Sequence, residues 1–410
     1  MRRESCGACG SAQLHSFLNL GTSPIADAYT DTAEASFTAP RYPLELAVCG
    51  YCHLVQLLEV IDSDVLFGTG YSFYTSASPP LSEYHREYAE QVIDAFPALA
   101  RGFVLEIGCN DGDLLRWFRR RSRRTVGVDP AAGPVRIATE DRKLDVWRTE
   151  FSKQIAIEVT ETYGEASIVI ANHVLAHVAD VSDVLAGIAY ALVDDGVAFI
   201  EVQYLPDMLV NNAFDLVYHE HRNFFSLTSI WKAARAHGLY VVDAQLTSRQ
   251  GGSLRVTLRH DTQMQRPHDR LRELRASEWW LTTRDLAAYL GVQGRVERVR
   301  TRLLNEIHKL PGVLAGYGAP AKATTLLNFC GIDGTTLDYV VDSTPAKQGR
   351  FIPGTGILIV APTDWLERPP PDTYLLLSWN YAREIIRQSE PGFGEGCGRW
   401  LVPIPAPMML

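Results

Sequence analysis

The run Phe103-Val-Leu-Glu-Ile-Gly-Cys-Asn-Asp-Gly-Asp113 decides the fold. Its first five residues read as a buried strand, Gly108 to Gly112 as a tight turn, and the stretch from about Asp113 to Arg121 as a helix. Thr125-Val-Gly-Val-Asp129 reads as a second strand, and further strands are expected at 166–171, 196–202 and 238–244. Helical patterns lie at 81–99, 182–192 and 228–236. Strands alternating with helices predict a mostly parallel, doubly wound α/β sheet. The run from Ala244 to Leu258 predicts an antiparallel hairpin that ends it. Residues 261–310 are charged and helical, with Trp279 and Trp280 expected on an apolar face. A second, smaller α/β alternation follows: strand 313–317, turn 318–322, helix 323–330, and strands 337–342 and 374–378.

Composition bounds what this fold can serve. A chain of 410 residues is long for one core, and three units are expected, at 1–70, 71–260 and 261–410. The net charge of −9 provides no basic field for DNA or RNA, so bulk nucleic-acid binding is disfavoured. No apolar run reaches the roughly 18 to 20 residues of a membrane span, and Met1 to Cys6 has no apolar signal core behind it. A cytoplasmic enzyme is the default expectation. The sequence does not set the oligomeric state, and a monomer is compatible with it.

Four of the seven cysteines form two Cys-x-x-Cys pairs, Cys6 with Cys9 and Cys49 with Cys52. Two such turns can supply four thiolates to a tetrahedral zinc. The alternative is free or redox-active thiols. Four protein ligands leave no open position, so the zinc is expected to be structural. The segment between the pairs is rich in Thr, Ser, Pro and Gly, and is expected to need the metal to hold its shape.

At the turn after the first strand, the Gly-x-Gly-x-x-Gly spacing of a dinucleotide site is broken. Gly108, Asn110, Asp111 and Gly112 instead offer amide and carboxylate groups suited to the sulfonium and amino group of S-adenosylmethionine. Asp129, ending the next strand, is placed for ribose hydroxyls. With Glu106 these residues resemble the fingerprint of S-adenosylmethionine-dependent methyltransferases, which implies a class I, Rossmann-like methyltransferase domain. The glycines alone could reflect only turn geometry, but that would not account for Asp129.

The densest titratable cluster is Tyr218-His-Glu-His221. Phenol, carboxylate and two imidazoles side by side suit proton abstraction near neutral pH. A metal site is the competing reading, since His219 and His221 would share a face on a strand. A plain polar loop is the third.

Taken together, these segments resemble the sugar C-methyltransferases of antibiotic deoxysugar pathways, which act on nucleotide-linked 4-keto sugars. The matching pieces are the four paired cysteines, Glu106 to Gly112, Asn172 with His177, Glu201 to Tyr204, Tyr218 to His221, Gly251 to Arg255, Gly316 to Lys322, Pro353-Gly354 and Trp379-Asn380. The resemblance implies a zinc domain, a methyltransferase domain and a C-terminal α/β domain, with the nucleotide sugar (dTDP-linked in this reading) held between the last two. It implies Asn172 among the cofactor contacts, and Tyr218, Glu220, His221 and His177 at the sugar, with His221 the expected base. Tyr71, Phe73, Tyr204 and Lys322 are the implied further substrate contacts, Lys322 toward the pyrophosphate. The chain departs from the family at Phe73, where a second tyrosine is common, and at Gln250 and Gly356, where histidines are. The rival readings are an O- or N-methyltransferase on another small metabolite and a zinc-ribbon module carrying a methyltransferase-like fold to RNA.

Overall fold

The computed structural model describes residues 1–67, 73–122, 124–247, 252–260, 269–283, 285–362, 371–389 and 399–410. Three sheets organise them. The first is antiparallel, in the order β1 (Leu14–Pro24), β2 (Arg41–Cys49), β3 (Val55–Leu57), β9 (Asn223–Phe224). β1 and β2 pair from Leu14 opposite Cys49 to Pro24 opposite Arg41. The N-terminal segment is therefore more regular than expected. Leu18 and Leu20 on β1 and Leu44, Leu46 and Val48 on β2 repeat with period two and are buried, a pattern that the polar residues between them obscure. Their core continues into Leu314, Leu326 and Leu375 of the C-terminal region, so the shape of this module does not rest on a metal alone.

The second sheet has the order β10 (Leu239–Thr247), β11 (Ser253–His260), β8 (Leu192–Gln203), β7 (Ala166–Asn172), β4 (Phe103–Ile107), β5 (Arg124–Val128), β6 (Asp145–Trp147). β4 to β8 run parallel. The hairpin β10–β11 closes the sheet at the edge where it was expected, through antiparallel pairing of β11 with β8. Chain order places the fourth strand against the first, which makes the mouth between β4 and β7 the switch point where ligands settle beyond the strand ends. Helix Pro79–Ala95 covers one face with Tyr88, Ala89 and Val92. The helix expected at 113–121 shrinks to Leu115–Phe118, because Gly112 takes a left-handed φ of 73° and residues beside it turn.

The third sheet runs β14 (Ile359–Val360), β13 (Val340–Val341), β12 (Leu314–Tyr317), β15 (Thr373–Leu376), β16 (Arg399–Val402), β17 (Met408–Met409), all parallel but the last. Of the two tryptophans expected on an apolar face, Trp280 packs against the core but Trp279 is 69% exposed. The four-residue 3-10 segment that carries them turns neighbouring side chains to different sides. Among the described residues no helix is long and apolar enough to cross a membrane.

Candidate active site

The four cysteine sulfurs lie within 4.8 Å of one another. Cys6 and Cys52 Sγ are 3.5 Å apart, and Cys9 and Cys49 Sγ 3.6 Å. A tetrahedral zinc with Zn–S near 2.3 Å requires sulfurs about 3.8 Å apart, so the donor set fits that ion. None of the four is in a disulfide, and among the described residues no imidazole or carboxylate joins the group. The set is closed, and its place at the base of the β2–β3 connection is structural.

The turn after β4 is shaped by two left-handed glycines. A Cβ on Gly108 would lie 2.3 Å from Val174 Cγ2, and one on Gly112 2.3 Å from Leu144 Cδ1. Asp129 closes the turn from the neighbouring strand end: one oxygen accepts the Asn110 N–H at 2.8 Å, the other that of Ala131 at 2.8 Å. Each oxygen keeps a lone pair for a ligand hydroxyl. Behind it Glu106 is buried with Oε2 lacking a hydrogen-bond partner, and burial together with Asp113, Asp129 and Asp111 pushes its carboxyl well up. An orphaned acid in an acidic mouth fits a sulfonium or ammonium group and repels phosphate.

Asn110 and Asp111 use their side chains differently from the expectation. Asn110 Oδ1 accepts Thr75 N–H at 3.0 Å, and its amide donates to Phe73 O at 3.1 Å. Asp111 accepts the hydroxyls of Thr75 and Ser76, each at 2.5 Å. They strap residues 73–76 across the mouth, with Phe73 45% exposed on the outside. Tyr71 and Gln250 lie outside the described residues. Asn172, at the end of β7, has both amide atoms buried without a well-formed hydrogen bond, as a cofactor contact would leave them.

The Tyr218–His221 segment is a turn, not a strand, and its two imidazoles point apart. His219 Nε2 meets Tyr42 O at 3.3 Å in the N-terminal module. His221 Nδ1 donates to Leu216 O at 2.9 Å, which leaves Nε2 to accept the Tyr218 hydroxyl at 2.7 Å. The metal reading of this pair is therefore overturned: the only cluster of possible metal ligands among the described residues is the cysteine set. His177 joins through Nδ1 to Glu220 O at 2.8 Å, with its ring 5.2 Å from that of His221. Burial lowers both imidazoles, His177 to about 4 and His221 well below its ordinary range. The Glu220 carboxyl is 6% exposed, neither oxygen has a partner, and burial with Asp27 nearby pushes it up to about 8. The arrangement is an imidazole backing a phenol, on the same turn as a buried carboxyl whose proton is held more tightly than usual.

Lys322 and Tyr204 are drawn inward. Lys322 Nζ, 3.7 Å from Asp215 Oδ2 and 3.9 Å above the Trp379 ring, has no hydrogen-bond partner, and burial lowers it to about 8 against the opposing pull of Asp215. Tyr204 is buried, its hydroxyl directed to Glu278, the carboxylate that caps helix Leu227–Arg235. Sequence reasoning missed the Tyr84–Glu201–Arg255 network: Arg255 Nε meets Glu201 Oε2 at 2.8 Å, and Tyr84 donates to the same carboxylate. Glu201 and Arg255 stood in two of the matched segments, and only the pairing of β11 with β8 brings them opposite one another.

The chain matches known families along three segments. Residues 6–67 match a family described as a zinc binding domain, 81–244 a methyltransferase domain, and 248–405 a C-methyltransferase C-terminal domain. The chain is 33% identical to C-methyltransferase NovU of Streptomyces niveus over 99% of its own length and 97% of the relative's. Among solved structures, magnesium protoporphyrin IX methyltransferase from Synechocystis PCC 6803 with bound S-adenosylmethionine covers 48% of this chain and 88% of its own, with TM-score 0.34 and 14% identity. N-methyltransferase NodS from Bradyrhizobium japonicum WM9 covers 43% of this chain and 97% of its own, with TM-score 0.33 and 15% identity.

Proposed function

This chain belongs to the C-methyltransferase family, and from that premise we propose that it methylates a carbon beside the keto group of a nucleotide-linked 4-keto-deoxysugar, dTDP-linked, in natural-product sugar biosynthesis in the cytoplasm. S-Adenosylmethionine, when bound, supplies an electrophilic methyl carbon on a sulfonium. Asp129 would hold its ribose hydroxyls, the acidic mouth around Glu106 its cationic end, and Asn172 the side toward the acceptor. Glycines 108 and 112 let the backbone come close enough.

The observation that carries carbon methylation is the Tyr218–His221 hydrogen bond, on a turn that also buries the Glu220 carboxyl and pushes its proton affinity up. A C–H beside a carbonyl is removed only if a base takes the proton while the oxygen is supported as negative charge develops. Both His221 nitrogens are already engaged, one by Leu216 O and one by Tyr218. The imidazole therefore acts through the phenol: Tyr218 accepts the carbon-bound proton as its own passes to His221 Nε2. Glu220, neutral at pH 7, donates to the carbonyl oxygen, as a buried acid held in its protonated form can. His177 holds the Glu220 backbone and so the turn. Lys322, whose buried ammonium lacks a hydrogen-bond partner, would meet the pyrophosphate. An O- or N-methyltransferase would need a base for its acceptor but no acid to support an enolate oxygen. Incubation with the 4-keto sugar nucleotide in heavy water without cofactor tests the reading: deuterium should enter at the carbon beside the carbonyl, and its absence, with an O- or N-methyl product on full turnover, would sink it.

A further inference from the structure

One histidine at this site carries no role in the chemistry above. His173 directly follows β7, with a left-handed φ of 56° that is uncommon outside glycine, and its N–H is fixed to Glu201 O at 2.6 Å. The next residue, Val174, is the one that covers Gly108, so His173 stands at the rim of the cofactor mouth. Its Nε2 lies 3.4 Å from Glu201 Oε1. That carboxylate is fully buried and held from three sides, by Arg255 Nε at 2.8 Å, by the Tyr84 hydroxyl at 2.7 and 2.8 Å, and by His173 itself. Arg255 is in turn clamped 3.8 Å over the Tyr88 ring. Burial alone would raise Glu201, but His173, Arg255 and Tyr84 outweigh it and hold the acid at about 2, so it is a permanent anion.

A fixed carboxylate facing Nε2 sets the tautomer: the proton sits on Nε2, and Nδ1 is left as an acceptor. The ring lies within electrostatic reach of those of His177 and His221. Its side chain is 25% exposed, whereas His221 and Glu220 are each 6% exposed. An incoming acceptor therefore meets His173 before the more deeply buried turn that carries Glu220 and His221.

We propose that His173 is a further acceptor-binding residue, its Nδ1 taking a hydrogen bond from a hydroxyl beside the carbonyl of the substrate, with Glu201 its positioning residue. This rests on the carbon-methylation reading. The Arg255–Glu201–Tyr84 network then does for the acceptor what Asp129 does for the cofactor: it fixes one hydrogen-bonding edge so that the reacting carbon arrives in register.

The test is steady-state kinetics with the 4-keto sugar nucleotide, together with calorimetry of S-adenosylmethionine. His173→Leu should raise acceptor KM about 10- to 100-fold with kcat changed less than about threefold and cofactor affinity unchanged. His173→Asn, which restores an acceptor near the Nδ1 position, should recover most of the loss. An acceptor analogue lacking the neighbouring hydroxyl should bind wild type as weakly as the parent sugar binds His173→Leu. Glu201→Gln should raise KM in the same way, and adding it to His173→Leu should cost nothing more. Where Glu201→Gln does not fold, Tyr84→Phe is the milder variant and should show a smaller KM effect of the same sign. An unchanged KM for His173→Leu in an enzyme whose wild type methylates the sugar overturns this assignment alone. A wild type that neither exchanges nor methylates any keto sugar overturns the carbon-methylation reading along with it.

Discussion

The two parallel sheets of this molecule carry the same backbone device in different side-chain surroundings. In chain order each places its strands third, second, first, fourth, fifth. In each, an acidic residue after the second strand reaches back to the turn that leaves the first. Asp129 accepts the N–H of Asn110 at 2.8 Å and that of Ala131 at 2.8 Å. Asp342 accepts the N–H of Ala319 at 2.6 Å and that of Thr344 at 2.7 Å. The backbone architecture is nearly interchangeable, and the side chains around it are not. Glu106, Asp111 and Asp113 crowd the first turn, whereas the second leads into Lys322 at the start of helix Ala321–Cys330. One scaffold thus presents an acidic mouth at the first sheet and, at the second, a turn where buried Lys322 lies against Asp215. Fold sets where a ligand sits beyond the strand ends, and local charge sets which ligand it is.

Between the sheets lies the turn from Tyr218 to His221, gripped from both. Thr325 of the C-terminal helix donates to Val217 O at 2.8 Å, and Asn223 N–H donates to Ala176 O, beyond β7, at 3.0 Å. The chemistry is assigned to this turn and to neither sheet, and the largest effect should follow from breaking it. His221→Asn removes the proton acceptor behind Tyr218, so kcat should fall about 10² to 10⁴-fold with sugar binding little changed. On the proposal that the imidazole works through the phenol, Tyr218→Phe should lose hydrogen exchange at the acceptor carbon as completely. Exchange at the wild-type rate in Tyr218→Phe would return the base to His221 alone.

The sheets themselves are separated by paired substitutions. Asp129→Ala should weaken S-adenosylmethionine by about 1.5 to 3 kcal/mol in calorimetry and leave the sugar nucleotide unaffected. Asp342→Ala should do the reverse and less strongly, about a tenfold rise in KM for the sugar nucleotide, since the second mouth relies on Lys322 as well. A cofactor defect in the Asp342 variant would break the comparison.

The smallest expected effect is one of pH. Glu220 donates only while protonated, and with its carboxyl at about 8 the protonated form dominates below that pH and is lost above it. Activity should therefore fall as pH rises through about 8. Glu220→Gln keeps an N–H donor that does not titrate, so it should be slower at neutral pH yet lose that alkaline limb of kcat. A limb that survives the substitution points instead to Lys322, which loses its charge in the same range.

What the sequence determined by itself was whatever is written in neighbouring residues. Two Cys-x-x-Cys turns named four ligands, because a turn of that spacing delivers two thiolates to one point. Buried strands ending in Gly108 and Asp129 named the cofactor mouth, because alternating periodicity and a glycine turn are local properties of backbone. The same locality gave the parallel sheet and its closing hairpin. Tertiary structure alone decided what each site side chain faces. Glu201 meets Arg255 across 54 positions and Tyr84 across 117, through strand pairing and helix packing that no local pattern encodes. Asn110 and Asp111 were legible as polar groups at the mouth, but only the fold shows their side chains bound to residues 73–76. His221 was legible as a titratable group, but only the fold engages one of its nitrogens with Leu216 O and the other with the Tyr218 hydroxyl. Hydrogen-bond direction is fixed by the last ångström of packing, and composition and spacing carry no information at that scale.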